Sequence, residues 1–99
     1  MYKPTSYQFI QIENDLVKLF GGWSDAWQCN SGCAKIEEQD GKLTIHGYSG
    51  SIYEVNIDTE GLHAYPNAVL EGMIAKTQEL GVSIKRISYQ QAIEIVRKQ

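Results

Sequence analysis

Residues 33–57 read CAKIEEQDGKLTIHGYSGSIYEVNI, and this stretch decides the fold. Asp40-Gly41 is a two-residue turn signal, because both central positions of a type I′ turn need positive φ, which Asp tolerates and Gly adopts freely. The turn sets Gln39 opposite Lys42. Counting outward, Ile36 faces Ile45 and Ala34 faces Gly47 on one side of the ribbon, while Glu37 faces Thr44 and Lys35 faces His46 on the other. For the second turn, a two-residue Ser49-Gly50 loop would oppose Ile45 to Glu54. A three-residue Ser49-Gly50-Ser51 loop instead opposes Ile45 to Val55 and Leu43 to Ile57, and brings Tyr53 beside Gly47, so the longer loop is expected. One inward pair, Glu38 with Leu43, fits poorly and puts Glu38 at the fringe of the core. The meander therefore has an apolar face and a polar face carrying Lys35, Glu37, Thr44, His46, Tyr48, Ile52, Glu54 and Asn56.

Working outward toward the N-terminus, Phe9, Ile12, Leu16, Leu19 and Phe20 recur at helical spacing behind a Thr5/Gln8 capping box, and Gly21-Gly22 supplies a stop. The spacing predicts a helix over residues 6–20. Beyond the meander, Pro66 or Asn67 opens a second helix with the stripe Val69, Leu70, Met73, Ile74, Thr77 and Leu80, closed by Gly81. Val82 to Ile87 reads as a short strand at a sheet edge, since Lys85 and Arg86 discourage further pairing. Ser88 and Gln91 cap a final helix, with Ile87 and Ala92 as its apolar staple. The expectation is one α+β domain over residues 1–99 in the order α-β-β-β-α-β-α, with a mainly antiparallel four-stranded sheet and the helices packed on one face.

The 99 residues suit one core, and 42% hydrophobic with 21% charged residues is the composition of an ordinary globular protein. No apolar run approaches a membrane span, and no basic-then-apolar leader opens the chain, so a cytoplasmic protein without membrane association is expected. Two cysteines, Cys29 and Cys33, do not make a disulfide scaffold. Charge is uneven beneath a net −3. Residues 1–75 hold four basic and ten acidic side chains, an excess of six acids; residues 76–99 hold five basic and two acidic, an excess of three bases. That balance speaks against direct nucleic-acid binding and favours a protein partner, including a basic one.

No pattern specific to one chemistry is present. Cys29, Cys33, His46 and His63 lack the spacing of a zinc finger or ribbon, and Gly47 to Ser51 joins two strands rather than leading into a helix as phosphate loops do. Cys33 and His46 fall on the same expected face but not directly opposite, so a hydrolase or transferase using them is a third reading; no catalytic residue, metal ligand or cofactor is assigned. The remaining signal is aromatic and polar. If Asn30-Ser31-Gly32 is a hairpin loop, Cys29 opposes Cys33 and Trp27 opposes Lys35, which puts Trp27 on the polar face beside His46 and Tyr48. A slip of one residue buries Trp27 and exposes Gln28 instead. The candidate recognition surface is Trp23, Trp27, Lys35, Glu37, His46, Tyr48, Ile52, Glu54, His63 and Tyr65. Two functions fit it: a small protein-binding regulator or inhibitor, and a small-molecule or nucleotide module that holds its ligand near Trp23, Trp27, Tyr48 and His63, which self-association as a homodimer would help by forming a pocket between chains.

Overall fold

The computed structural model describes residues 1–99, and its elements run β1 (Ser6–Ile12), β2 (Leu16–Gly22), β3 (Trp27–Cys29), β4 (Cys33–Gln39), β5 (Lys42–Gly47), β6 (Ile52–Asn56), a 3-10 turn (Ile57–Thr59), α1 (Ala64–Glu79), β7 (Ile84–Ile87) and α2 (Tyr89–Arg97). The domain is α+β with antiparallel sheets, and from Cys33 onward the order of elements is the expected one. The strands form two sheets, ordered β3-β2-β1-β7 and β4-β5-β6, rather than one sheet of four.

The expected helix over residues 6–20 is a β-hairpin. β1 and β2 pair from Ser6–Gly22 to Ile12–Leu16 around Glu13-Asn14-Asp15, where Glu13 takes a φ of 57° and the Gln11 side-chain amide donates to the Asn14 carbonyl at 3.0 Å. Both faces of this hairpin are covered. Tyr7, Phe9, Val17 and Leu19 enter the main core, while Ile10 and Phe20 enter a second cluster beneath α1. Apolar residues on both faces erase the simple alternation of a one-sided strand and leave a spacing that imitates a helix. Aromatic and β-branched side chains also fit a pleated sheet better than a helix. Gly21 and Gly22 do not stop a helix. A Cβ on Gly21 would fall 2.7 Å from Pro4 Cγ, and one on Gly22 would fall 2.7 Å from Pro66 Cγ, so they admit neighbouring chain segments at close range.

The main core lies between the two sheets, where Tyr7, Phe9, Val17 and Leu19 meet Cys33, Leu43, Ile45, Tyr53 and Val55. The helices do not share one face. α2 packs along β4, β1 and β2 and contributes Ala92 and Val96 to that core. α1 lies on the far face of the four-stranded sheet, seating Leu70 against Ile10 and Phe20. α1 begins two residues before Pro66 and is followed by Gly81 at a φ of 80°. Leu80, expected on its buried stripe, is 74% exposed. β7 is an edge strand as expected, and α2 carries the Ser88/Gln91 capping box.

In the meander, Gln39–Lys42, Glu38–Leu43, Glu37–Thr44, Ile36–Ile45 and Lys35–His46 pair as the turn dictates, and Glu38 is exposed at the fringe. A bulge then sets Cys33, not Ala34, opposite Gly47. The second loop has three residues, but they are Tyr48-Ser49-Gly50: Gly47 N–H donates to Ser51 C=O at 2.8 Å, Gly50 takes a φ of 93°, and Ile45 pairs with Tyr53 and Leu43 with Val55. A three-residue hairpin loop ends on a left-handed residue, which Gly50 supplies and Ser51 would resist. The correction is a shift of two residues, so Tyr53 and Val55 still point inward.

β3 pairs with β2, through Phe20–Cys29 and Gly22–Trp27, and not with β4. Asn30 carries the chain from one sheet to the other. Its N–H donates to Leu19 C=O at 3.0 Å, and its buried Oδ1 accepts from Leu19 N–H at 2.9 Å and Gly32 N–H at 3.2 Å. Asn30→Ala removes the acceptor of two backbone donors and is expected to cost about 2 kcal/mol or more in urea unfolding, whereas Leu80→Ala stays within about 0.5 kcal/mol. Equal midpoint shifts for the two variants would contradict this account of the crossing.

Candidate recognition surfaces

The ten residues singled out from the sequence fall into three separate places. Five lie on the outer face of the three-stranded sheet, which no helix covers. There Glu37 Oε1 lies 2.7 Å from His46 Nε2, Lys35 Nζ lies 3.7 Å from Glu37 Oε2, and Ile52 pairs with His46 across the ladder. Glu54 Oε1 draws Lys42 Nζ to 3.7 Å and Lys3 Nζ to 3.9 Å. The hydrogen bond from His46, joined by the Lys35 charge, holds the Glu37 carboxyl below the usual glutamate range. These are exposed pairs in high dielectric, easily exchanged for other partners. Lys3 and Lys42 belong to the patch as much as the chosen residues. Lys42 was legible as the neighbour of the turn; Lys3 comes from a distant segment.

Four others gather at the start of α1. Trp27 is not on the outer face with His46, because its strand belongs to the other sheet. Its ring stacks on Phe20 at 5.2 Å and 6° between planes, on the side of that sheet that α1 covers, and remains 37% exposed. Gly22, paired with Trp27, touches Pro66 in the first turn of α1, next to the 51% exposed Tyr65. His63 is tied to the same place: its Nε2 lies 2.9 Å from Thr5 Oγ1, and its N–H donates to Ser6 Oγ, which donates to Gly22 C=O at 3.0 Å. Trp23, half-buried, follows directly, its N–H donating to Ala26 C=O in the turn before Trp27. The choice left open for Trp27 resolves as both: one face of the indole is seated on the core aromatic and the rest reaches solvent.

Tyr48 stands alone at the far end. Its ring covers Gly32, where a Cβ would fall 2.8 Å from Tyr48 Cδ2, and its hydroxyl donates to Gln99 Oε1 at 3.3 Å. Gln99 in turn donates to the Asp15 carbonyl at 2.7 Å. Tyr48 therefore helps to tie down the C-terminus.

Cys33 is enclosed in the core between the sheets, where burial pushes its thiol up to about 12 despite the Asn30 amide 3.6 Å from its Sγ. Burial also raises Cys29, which packs with the α1 cluster. The two sulfurs serve different clusters, and neither joins His46 on the outer face, so a Cys33/His46 nucleophile and base are not assembled. No three His, Cys, Asp or Glu side chains converge as a metal-binding group, and no helix is long and apolar enough to cross a membrane.

Searches of known protein families, curated proteins and solved structures returned no match to this chain.

The Glu37 carboxyl, followed by NMR, is expected to titrate below the usual glutamate range, and His46→Ala is expected to move it upward. Because its folded pKa is lowered, the stabilisation it confers is complete above the unfolded value and fades as pH falls through the folded one. An unchanged Glu37 titration in the variant would remove the His46 hydrogen bond as the cause.

Proposed function

We propose that this chain is a small non-enzymatic protein-binding regulator or inhibitor that engages its partner through the aromatic surface at the start of α1. The observation that carries this reading is Trp27, whose indole is stacked on buried Phe20 and still 37% exposed. A large ring immobilised on the core offers contact area with little conformational entropy left to lose, which is the property of an interface anchor. Tyr65 and His63 lie at the start of α1, whose first turn Gly22 lets approach the strand pair that carries Trp27, and Trp23 follows Gly22 directly. The acidic excess of residues 1–75 suits a partner with a basic contact face, since complementary charge speeds encounter and rejects unsuitable surfaces.

The alternative, a nucleotide or small-ring ligand, draws on the same aromatic groups. It has no enclosed site to draw on: the depressions of this molecule lie between α1 and β7, between Lys3 and Thr59, beside α2, and at the Asp40 turn, none of them lined by Trp23, Trp27 or Tyr65.

In a Trp23→Phe background, Trp27 fluorescence is expected to be accessible to a soluble quencher. Addition of the chain's cellular partner, captured by crosslinking from the host, is expected to shield it, and Trp27→Ala is expected to weaken that capture at least about tenfold while leaving the far-ultraviolet circular dichroism spectrum in place. A thermal shift with nucleotides that Trp27→Ala abolishes, with no stoichiometric protein captured, would replace this reading with the alternative.

A further inference from the structure

The three-stranded sheet has two edges, and they are treated differently. At β6 the outward backbone groups are used: Tyr2 N–H donates to Ile52 C=O and Glu54 N–H donates to Tyr2 C=O, each at 2.9 Å. At β4 the two-residue turn, with Asp40 at a φ of 54° and Gly41 at 77°, makes Gln39–Lys42 a bonded pair. Bonded pairs then alternate along the ribbon as Glu37–Thr44 and Lys35–His46. The N–H and C=O groups of Ile36 and Glu38 consequently point away from β5. None of the backbone hydrogen bonds outside the ladders uses them, and no side chain reaches them. The edge is flanked by a groove in which Ile36 faces Ile93 and Val96 of α2.

An exposed edge of this kind is a template for another strand, and the residues of β4 restrict which strand fits. Consider two copies of β4 brought together antiparallel about a two-fold axis, with the free backbone groups in register. Centring on Lys35 or on Glu37 opposes like charges at the centre, Lys35 to Lys35 or Glu37 to Glu37. Centring on Ile36 opposes Lys35 of each copy to Glu37 of the other, twice, on the exposed outer face, and brings the two Ile36 backbones into a reciprocal bonded pair. Lys35 and Glu37 are already neighbours within one chain at 3.7 Å, so both side chains are held on the face where they would meet their counterparts.

We infer that the β4 edge is a self-association surface: two copies of this chain join β4 to β4 antiparallel, centred on Ile36, to make one continuous six-stranded sheet. Lys35 and Glu37 set the register and reject the two alternatives, and the apolar groove beside Ile36 is covered from both sides. The dimer leaves the Trp27 surface free on each copy, so it stands independently of the function proposed above.

Charge exchange tests this directly. Sedimentation velocity over a range of concentrations is expected to show a monomer–dimer equilibrium for the unaltered chain. Lys35→Glu and Glu37→Lys, each alone, place like charges opposite each other twice and are expected to weaken dimerisation about tenfold or more. The Lys35→Glu, Glu37→Lys double variant is expected to restore it. An equimolar mixture of the two single variants is expected to form a heterodimer, because one copy then carries an acid at both positions and the other a lysine at both, so every charge meets its opposite across the axis. Circular dichroism confirms the fold of each variant, whose changes lie on an exposed face. An unaltered chain that stays monomeric at every concentration, or a dimer indifferent to the single reversals, overturns the inference.

Discussion

Two-sided burial of the β1–β2 hairpin is the constraint on which the rest of the molecule depends. One face supplies Tyr7, Phe9, Val17 and Leu19 to the space between the sheets, and the other supplies Ile10 and Phe20 to the bed of α1. A hairpin that is apolar on both faces is unstable until both are covered, so it demands a second sheet on one side and a helix on the other. Tyr7 shows how closely the covering is tied to it: its hydroxyl donates to the Ile57 carbonyl and its carbonyl accepts from Gly61 N–H at 2.7 Å, pinning the connection that leads from the meander to α1. Burial raises the Tyr7 phenol strongly, which keeps it neutral and able to donate in that bond.

From that constraint the division of the surface follows. The three-stranded sheet covers one side of the hairpin and turns its polar face to water; α1 covers the other and brings its first turn against Gly22. Asn30 makes the separation possible, because its side chain satisfies Leu19 N–H where β3 ends and β4 departs for the other sheet. Had β3 continued into β4 as a hairpin, Trp27 and His46 would share a face. Instead the indole is set on Phe20, on the far side of the four-stranded sheet from the ionic patch of Glu37, His46 and Glu54. A single surface of aromatic and charged groups is thus resolved into an anchor-like aromatic end and an ionic sheet face, each with different chemistry.

The meander was legible because a one-sided antiparallel ribbon writes its register in a period of two, and Asp40-Gly41 fixes the count. Five of its pairs follow from that turn alone. The first twenty residues were not legible for the opposite reason. Burial on both faces fills the intervening positions, and Phe9, Ile12, Leu16 and Leu19 then satisfy a helical period as well as two strands do. Glu13-Asn14-Asp15 was the available signal, a polar three-residue turn that pairs Ile12 with Leu16 and would have split the segment. The site suffered in the same way. Lys35, Glu37, His46, Ile52 and Glu54 share one sheet face, as the count from the turn implies, because they belong to the ribbon. The β3–β4 pairing on which Trp27's place beside His46 was conditional does not form, because the partner of a three-residue strand depends on one buried amide, and local sequence carries no trace of which backbone donor that amide will meet.

Edges complete the logic of the design, since two sheets create four of them. β3 is cut to three residues, β7 carries Lys85 and Arg86, and β6 is capped by Tyr2, whose ring also packs against Tyr53 at 5.0 Å. These are the recognised means of keeping a strand from recruiting others. Beyond its bulge between Cys33 and Lys35, β4 runs regularly to Gln39 with no proline, and the outward backbone groups of Ile36 and Glu38 are employed by nothing in the chain. Its charges do not merely repel: Lys35 and Glu37 flank Ile36 with opposite signs, an arrangement that is its own complement under a two-fold axis and a misfit in the neighbouring registers. A chain that protects three edges by length, charge and capping, and writes a self-complementary code on the fourth, distinguishes unwanted pairing from a specific one.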